Sequence, residues 1–161
     1  MTDGPESLEY LTTAEAAVLE AFLETLIPSG ADGLGAHEAR VGRFIDRALA
    51  GALSDEAAFY REGLQATEAY TRRTYSAGLA DLDAGARTAV LTALESGAAD
   101  GFGGGSAGFF RGLRDLALQG MFGDPRHGGN ADQVGWRLIG YPGVRMEVSA
   151  EEQAIGPIER L

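Results

Sequence analysis

Between Gly120 and Gly143 the chain reads GMFGDPRHGGNADQVGWRLIGYPG, with seven glycines, two prolines and the only tryptophan of its 161 residues. Gly and Pro at this density specify bends and close backbone approaches, not a regular element. Fourteen of the 24 glycines lie between Gly97 and Gly143, so the N-terminal part reads as scaffold and the C-terminal part as shaped loop. Ordering so flexible a segment opposes a large loss of conformational entropy. Loops held this way by a rigid scaffold commonly carry binding surfaces.

The scaffold reads as helical. Thr12 and Glu15 form a capping-box pair, and Val18, Leu19, Phe22, Leu23 and Leu26 repeat at helical spacing until Pro28 closes the segment. A second amphipathic stretch carries Val41, Phe44, Ile45, Ala48 and Leu49, with Gly51 at its end. Ser54 is a candidate cap for a third helix bearing Phe59, Tyr60, Leu64, Thr67 and Tyr70, with Gly78 as its stop. Asp83 caps a fourth helix that holds Val90, Leu91 and Leu94 and ends at Gly97. Ser106 opens a fifth, with Phe109, Phe110, Leu113, Leu116 and Ala117 on its apolar side. Alternating β-branched runs are scarce, so a sheet has little material. The expectation is an all-α, compact bundle of about five helices with a long Gly/Pro-rich C-terminal loop region. Residues 1–10 read as a flexible lead, 11–143 as one helical domain, and 144–161 as an arm or tail, either docked on a partner or disordered.

Composition narrows the function classes. A net charge of −11 opposes binding to nucleic-acid phosphates. The absence of Cys removes disulfides, thiolate metal sites and cysteine nucleophiles. No apolar run approaches the ~20 residues of a membrane span. The N-terminus, MTDGPESLEY, lacks a basic region followed by an apolar one, so a cytoplasmic location is expected, or a periplasmic one if the chain is processed or co-exported.

Three chemical sites suggest themselves. The run from Gly101 to Ser106 resembles a phosphate loop, but Ser106 stands at the third glycine position of a dinucleotide fingerprint, no strand precedes it, and no lysine exists to complete a P-loop. A flexible connection explains it more simply. Asp124, His127, Asn130 and Asp132 are oxygen- and imidazole-bearing residues that could hold a cation, yet their spacing matches no metal motif and suits turns. No metal site is therefore assigned. His127 is the weak candidate for acid–base catalysis; with Asp124, Asn130 and Arg126 it defines the alternative reading, a stand-alone ligand-binding or metal-binding protein or enzyme. Trp136 is either a buried structural anchor or a binding hot spot, and together with Leu138 and Ile139 it offers apolar area to pin the loop.

The combination of Gly120-Met-Phe-Gly-Asp-Pro-Arg-His-Gly-Gly-Asn130 with Gly135-Trp-Arg-Leu-Ile-Gly-Tyr-Pro-Gly143 resembles the gluconate 2-dehydrogenase small-subunit family, also called the gamma or third subunit of bacterial flavin-dependent sugar dehydrogenases. Leu11-Thr-Thr-Ala-Glu15, Leu26-Ile-Pro-Ser29, Val41-Gly-Arg-Phe-Ile-Asp46 and the Phe109-Phe110 helix extend the resemblance over residues 11–143. It implies an accessory, non-catalytic helical subunit with no cofactor of its own. The implied partner is a large glucose-methanol-choline-type dehydrogenase or oxidase subunit that holds FAD and oxidises a sugar, polyol or sugar acid; a cytochrome subunit often completes such complexes. The small subunit is associated with stability, maturation and export of the large one. Family members often carry a twin-arginine export signal, which MTDGPESLEY does not show. On this resemblance the partner-facing residues are expected to be Met121, Phe122, Asp124, Pro125, His127, Gly128, Gly129, Asn130, Trp136, Arg137, Tyr141 and Pro142.

Overall fold

The computed structural model describes residues 7–141, so the readings that fall on 1–6 and 142–161, Pro142 included, lie outside the described residues. Among the described residues there are six α-helices and no strand: α1 (Thr13–Leu26), α2 (Val41–Ala50), α3 (Ala57–Tyr75), α4 (Ala84–Ser96), α5 (Ser106–Phe122) and the short α6 (Val134–Leu138). Three single-turn 3-10 segments, Leu79–Asp81, Pro125–His127 and Ala131–Gln133, join them. None of these helices is long and apolar enough to cross a membrane.

Local capping chemistry sets several boundaries. The Thr12 hydroxyl accepts the Glu15 N–H at 3.3 Å, and the Glu15 carboxylate accepts the Thr12 N–H at 2.9 Å, which satisfies two donors that a helix start leaves open. Asp83 accepts the Ala86 N–H at 2.8 Å and starts α4. Two boundaries depart from the sequence reading. Ser54 does not cap α3 with its side chain; residues 51–56 wind through turns, and it is the Ser54 carbonyl that accepts the Ala57 N–H. Gly78 does not end α3 either, because the helix stops at Tyr75 with Ser76 left-handed. The reason is tertiary: Leu79 is fully buried and its N–H donates to the Glu68 carboxylate at 3.0 Å, so the chain must leave the helix early to reach that position. His37 lies in the turn before α2.

Helix α5 lies at the centre of the bundle, packed against α2, α3 and α4, while α1 closes the other side against α2, α3 and α4. Phe22 of α1 meets Phe109 and Phe110 of α5 at ring-centroid distances of 6.4 and 5.7 Å. Burial of each such ring contributes about 1.5–3 kcal/mol. Close approach of α3 to α5 depends on Gly63, whose missing Cβ would overlap the Phe109 ring. Phe59, on the outer side of α3, remains 43% exposed.

The N-terminal approach to α1 is held by one buried carboxylate. Asp46 of α2, 2% exposed, accepts the backbone N–H groups of Glu9, Tyr10 and Leu11 at 2.6, 3.1 and 2.8 Å. A charged group buried with this many donors is compensated by them. The last residues of the lead are thus tied to α2, which places Glu9 beside Arg47 at 3.4 Å.

Gly63→Ala is expected to overpack the α3–α5 crossing by about 1–3 kcal/mol and to lower the thermal midpoint by roughly 2–4 °C per kcal/mol. Gly108→Ala, where an added Cβ meets nothing within 4 Å, should raise it slightly by restricting the unfolded chain. Thermal melts followed by circular dichroism measure both.

Candidate docking site at the C-terminal turn

A helix ends with four carbonyls that have no partner inside it, and at the end of α5 the glycine-rich segment supplies partners. Gly123 N–H closes on the Gln119 carbonyl at 2.9 Å. The Asn130 backbone N–H donates to Gly120 O at 2.6 Å, and the Trp136 indole Nε1 donates to Phe122 O at 2.8 Å. The Asn130 side chain then joins the two ends of the segment: its Nδ2 donates to Gly123 O at 2.9 Å, and its Oδ1 accepts the Gly135 N–H at 2.8 Å. Ala131 N–H reaches the Ala39 carbonyl at 3.1 Å and fastens the segment to the turn before α2.

The glycines are required by contact. A Cβ at Gly129 would overlap the Gly120 backbone, and one at Gly135 would overlap the Met121 carbonyl. Backbone therefore lies directly on backbone along this seam. The path also needs three left-handed residues in four, Asn130, Asp132 and Gln133, with φ of 46°, 52° and 58°. Asn and Asp tolerate this region better than most side chains; Gln133 does not share that advantage.

These contacts settle where each sequence-derived site residue lies. Met121, Gly129 and Asn130 are buried within the chain's own fold, so they shape a surface without lying on it. Phe122, Asp124, Pro125, Gly128 and Trp136 are half-buried, and His127, Arg137 and Tyr141 are exposed. Trp136 packs edge-on against Tyr141 at 5.1 Å. Leu138 and Ile139 do not pin the loop as expected: they stand 43% and 60% exposed, because Asn130, the Trp136 indole and the buried Val134 already hold it. The segment's exposed side chains thus include Leu138, Ile139 and Tyr141 among the polar Arg126, His127, Asp132, Gln133 and Arg137.

The Asp124, His127, Asn130 set does not converge. Asp124 caps the Pro125–His127 turn through the Arg126 N–H at 3.0 Å and holds the Arg126 guanidinium at 2.6 Å. That guanidinium hydrogen bond, together with the backbone N–H, lowers the Asp124 pKa to about 2. Asn130 is spent on backbone groups beneath the turn. Among the described residues no three His, Asp or Glu side chains gather as a metal would require. His127 instead lines an open groove of about 660 Å³ floored by Phe44, Ala48, Leu53 and Leu116, with Arg47 at its edge. The groove was not legible in the sequence, since its walls come from α2, α5 and the N-terminal lead, far apart along the chain. Its rim is charge-balanced by the Glu9–Arg47 pair.

The family model for gluconate 2-dehydrogenase subunit 3 matches residues 13–143, a span that contains α1 to α6 and the whole glycine seam. The chain belongs to the gluconate 2-dehydrogenase subunit 3 family. No curated protein and no solved structure matches it.

Asn130→Ala removes two buried hydrogen bonds and should destabilise the fold by about 2–4 kcal/mol, seen as a lower denaturation midpoint in urea. The Asp124 interaction has a depressed folded-state pKa, so its contribution is present above the ordinary value of 3.8 and is lost as pH falls through about 2. Amide exchange at Arg126 should accordingly accelerate, relative to intrinsic rates, across that acid window and not between pH 5 and 8.

Proposed function

We propose that this chain is the non-catalytic small subunit of a heteromeric FAD-dependent dehydrogenase acting on a sugar, polyol or sugar acid. In this reading it docks on, and stabilises, a large glucose-methanol-choline-type flavoprotein subunit and assists its maturation; a cytochrome subunit can complete the assembly. The single observation that supports it is the exposure of three large apolar side chains, Leu138, Ile139 and Tyr141, just after a turn whose backbone is fixed at the end of α5. A surface already rigid before contact loses less entropy on association. Membership of a dehydrogenase subunit family supports the same reading.

Of the residues of the alternative reading, His127 stands exposed on the open groove, while the others are engaged within the chain. Asp124 and Arg126 neutralise each other, and Asn130 is enclosed and fully used. The flavin is assigned to the partner on the family resemblance; the loop at 101–105 joins two helices and shares its pocket with the Glu62 carboxylate.

Coexpression with a flavoprotein subunit of this type from the same genome should yield a yellow complex that copurifies through the small subunit. Ile139→Asp and Leu138→Asp should each reduce recovered complex about tenfold or more, with the melting temperature of the isolated chain unchanged because both positions are exposed. Failure of the flavoprotein to copurify, or sugar oxidation by the purified chain alone, would refute this role, and undiminished complex from both variants would remove Leu138 and Ile139 from the contact surface.

A further inference from the structure

The glycine-rich loop between α4 and α5 closes over a second, smaller site on the side of α3. A pocket of about 190 Å³ is walled by Phe59 and Glu62 of α3, Phe102 of the loop, Phe109 of α5 and the glycine run 103–105. The Phe59 and Phe109 rings lie 6.4 Å apart at 65°, and Phe102 lies 5.7 Å from Phe109 at 33°. Phe59 is 43% exposed, and Glu62, one helical turn further along the same face, is exposed as well. An added Cβ at Gly103, Gly104 or Gly105 would meet nothing within 4 Å, so this wall is bare peptide backbone left open.

From this arrangement we infer that the pocket binds a compact organic cation, an alkylammonium or guanidinium group. Aromatic ring faces carry negative quadrupole density and attract a cation placed within about 6 Å of the ring centre. Glu62 adds a full negative charge at the rim, and the chain's net charge of −11 favours cations at long range. Guanidinium and quaternary alkylammonium groups are more weakly hydrated than a primary ammonium or a small inorganic ion, so they surrender less solvation on entering an aromatic pocket. The N-terminus of α5 at Gly105 bears the positive end of that helix dipole and would favour an anion. Glu62 and the exposed Phe59 ring oppose one, and the Arg73 guanidinium beside Gly101 is already held by Asp100 at 2.6 Å, which places the cation on the α3 side of the pocket. Two sources share this chemistry: a free small cation, and an Arg or Lys side chain of a partner subunit.

The test is a ¹⁵N NMR titration of the full chain, reading the Gly103, Gly104 and Gly105 amides. Tetramethylammonium and methylguanidinium chlorides should produce saturable shifts with dissociation constants of about 1–50 mM. Sodium chloride at equal ionic strength and sodium phosphate should not. Phe59→Leu and Glu62→Gln, both at exposed positions, should each weaken binding about threefold or more. Repeating the titration on the complex with the flavoprotein subunit separates the sources: a site that no longer titrates is filled by a partner side chain, and one that still titrates takes a free cation. Linear, non-saturating shifts, equal shifts with phosphate, or variants that bind as the parent does would overturn the inference. Because the first titration needs no partner, its outcome is independent of the docking role proposed for the C-terminal turn.

Discussion

The open end of α5 is the constraint on which the C-terminal third depends. Carbonyls at a helix terminus must find donors or remain exposed to water, and here they find them in residues 7 to 14 positions further on. Asn130 is central because it uses backbone N–H, side-chain N–H and side-chain oxygen at once. Each of these bonds contributes only about 1 kcal/mol net, but together they convert a bend-rich segment into a fixed surface. The left-handed backbone at 130, 132 and 133 persists because this network over-determines it.

A second buried polar centre, Asp46, does the corresponding work at the other end of the chain. By gathering three N–H groups from residues 9–11 it brings the N-terminal lead onto α2. Ala39, in the turn before α2, accepts from Ala131. The region around α2 therefore receives both the lead and the C-terminal turn, and the groove beneath His127 opens where they meet. Rigidity there is a property of polar contacts at the periphery, laid over an aromatic core made by Phe22, Phe109 and Phe110.

This division of labour suits a subunit whose task is to present a surface. The apolar side chains that a loop would ordinarily bury to hold itself, Leu138 and Ile139, stand exposed because hydrogen bonds to the α5 terminus hold the loop instead, as the proposed docking role requires. At the other end of α5, the loop at 101–105 is open, glycine-lined and paired with aromatic rings and one carboxylate. The two regions offer different chemistry, one apolar and one cation-selective.

What the sequence determined by itself was whatever depends on neighbours within about four residues. The Thr12–Glu15 box, the Asp83 cap, the Gly97 stop, the all-α pattern and the Asp124–Pro125 turn are short-range hydrogen bonds and periodicities, and they are written in local spacing. The glycine seam was legible as a bent, unusual stretch, though not as a backbone-on-backbone contact. Tertiary structure alone decided that Asn130 points inward, that the Trp136 indole caps α5, that Leu138 and Ile139 face out, and that α3 ends before Gly78 so that Leu79 can be buried. It also decided that Phe59 and Glu62 face a loop some forty residues away in the chain. Those outcomes depend on which distant carbonyl, ring or carboxylate arrives alongside, and no local pattern of residues encodes that arrival.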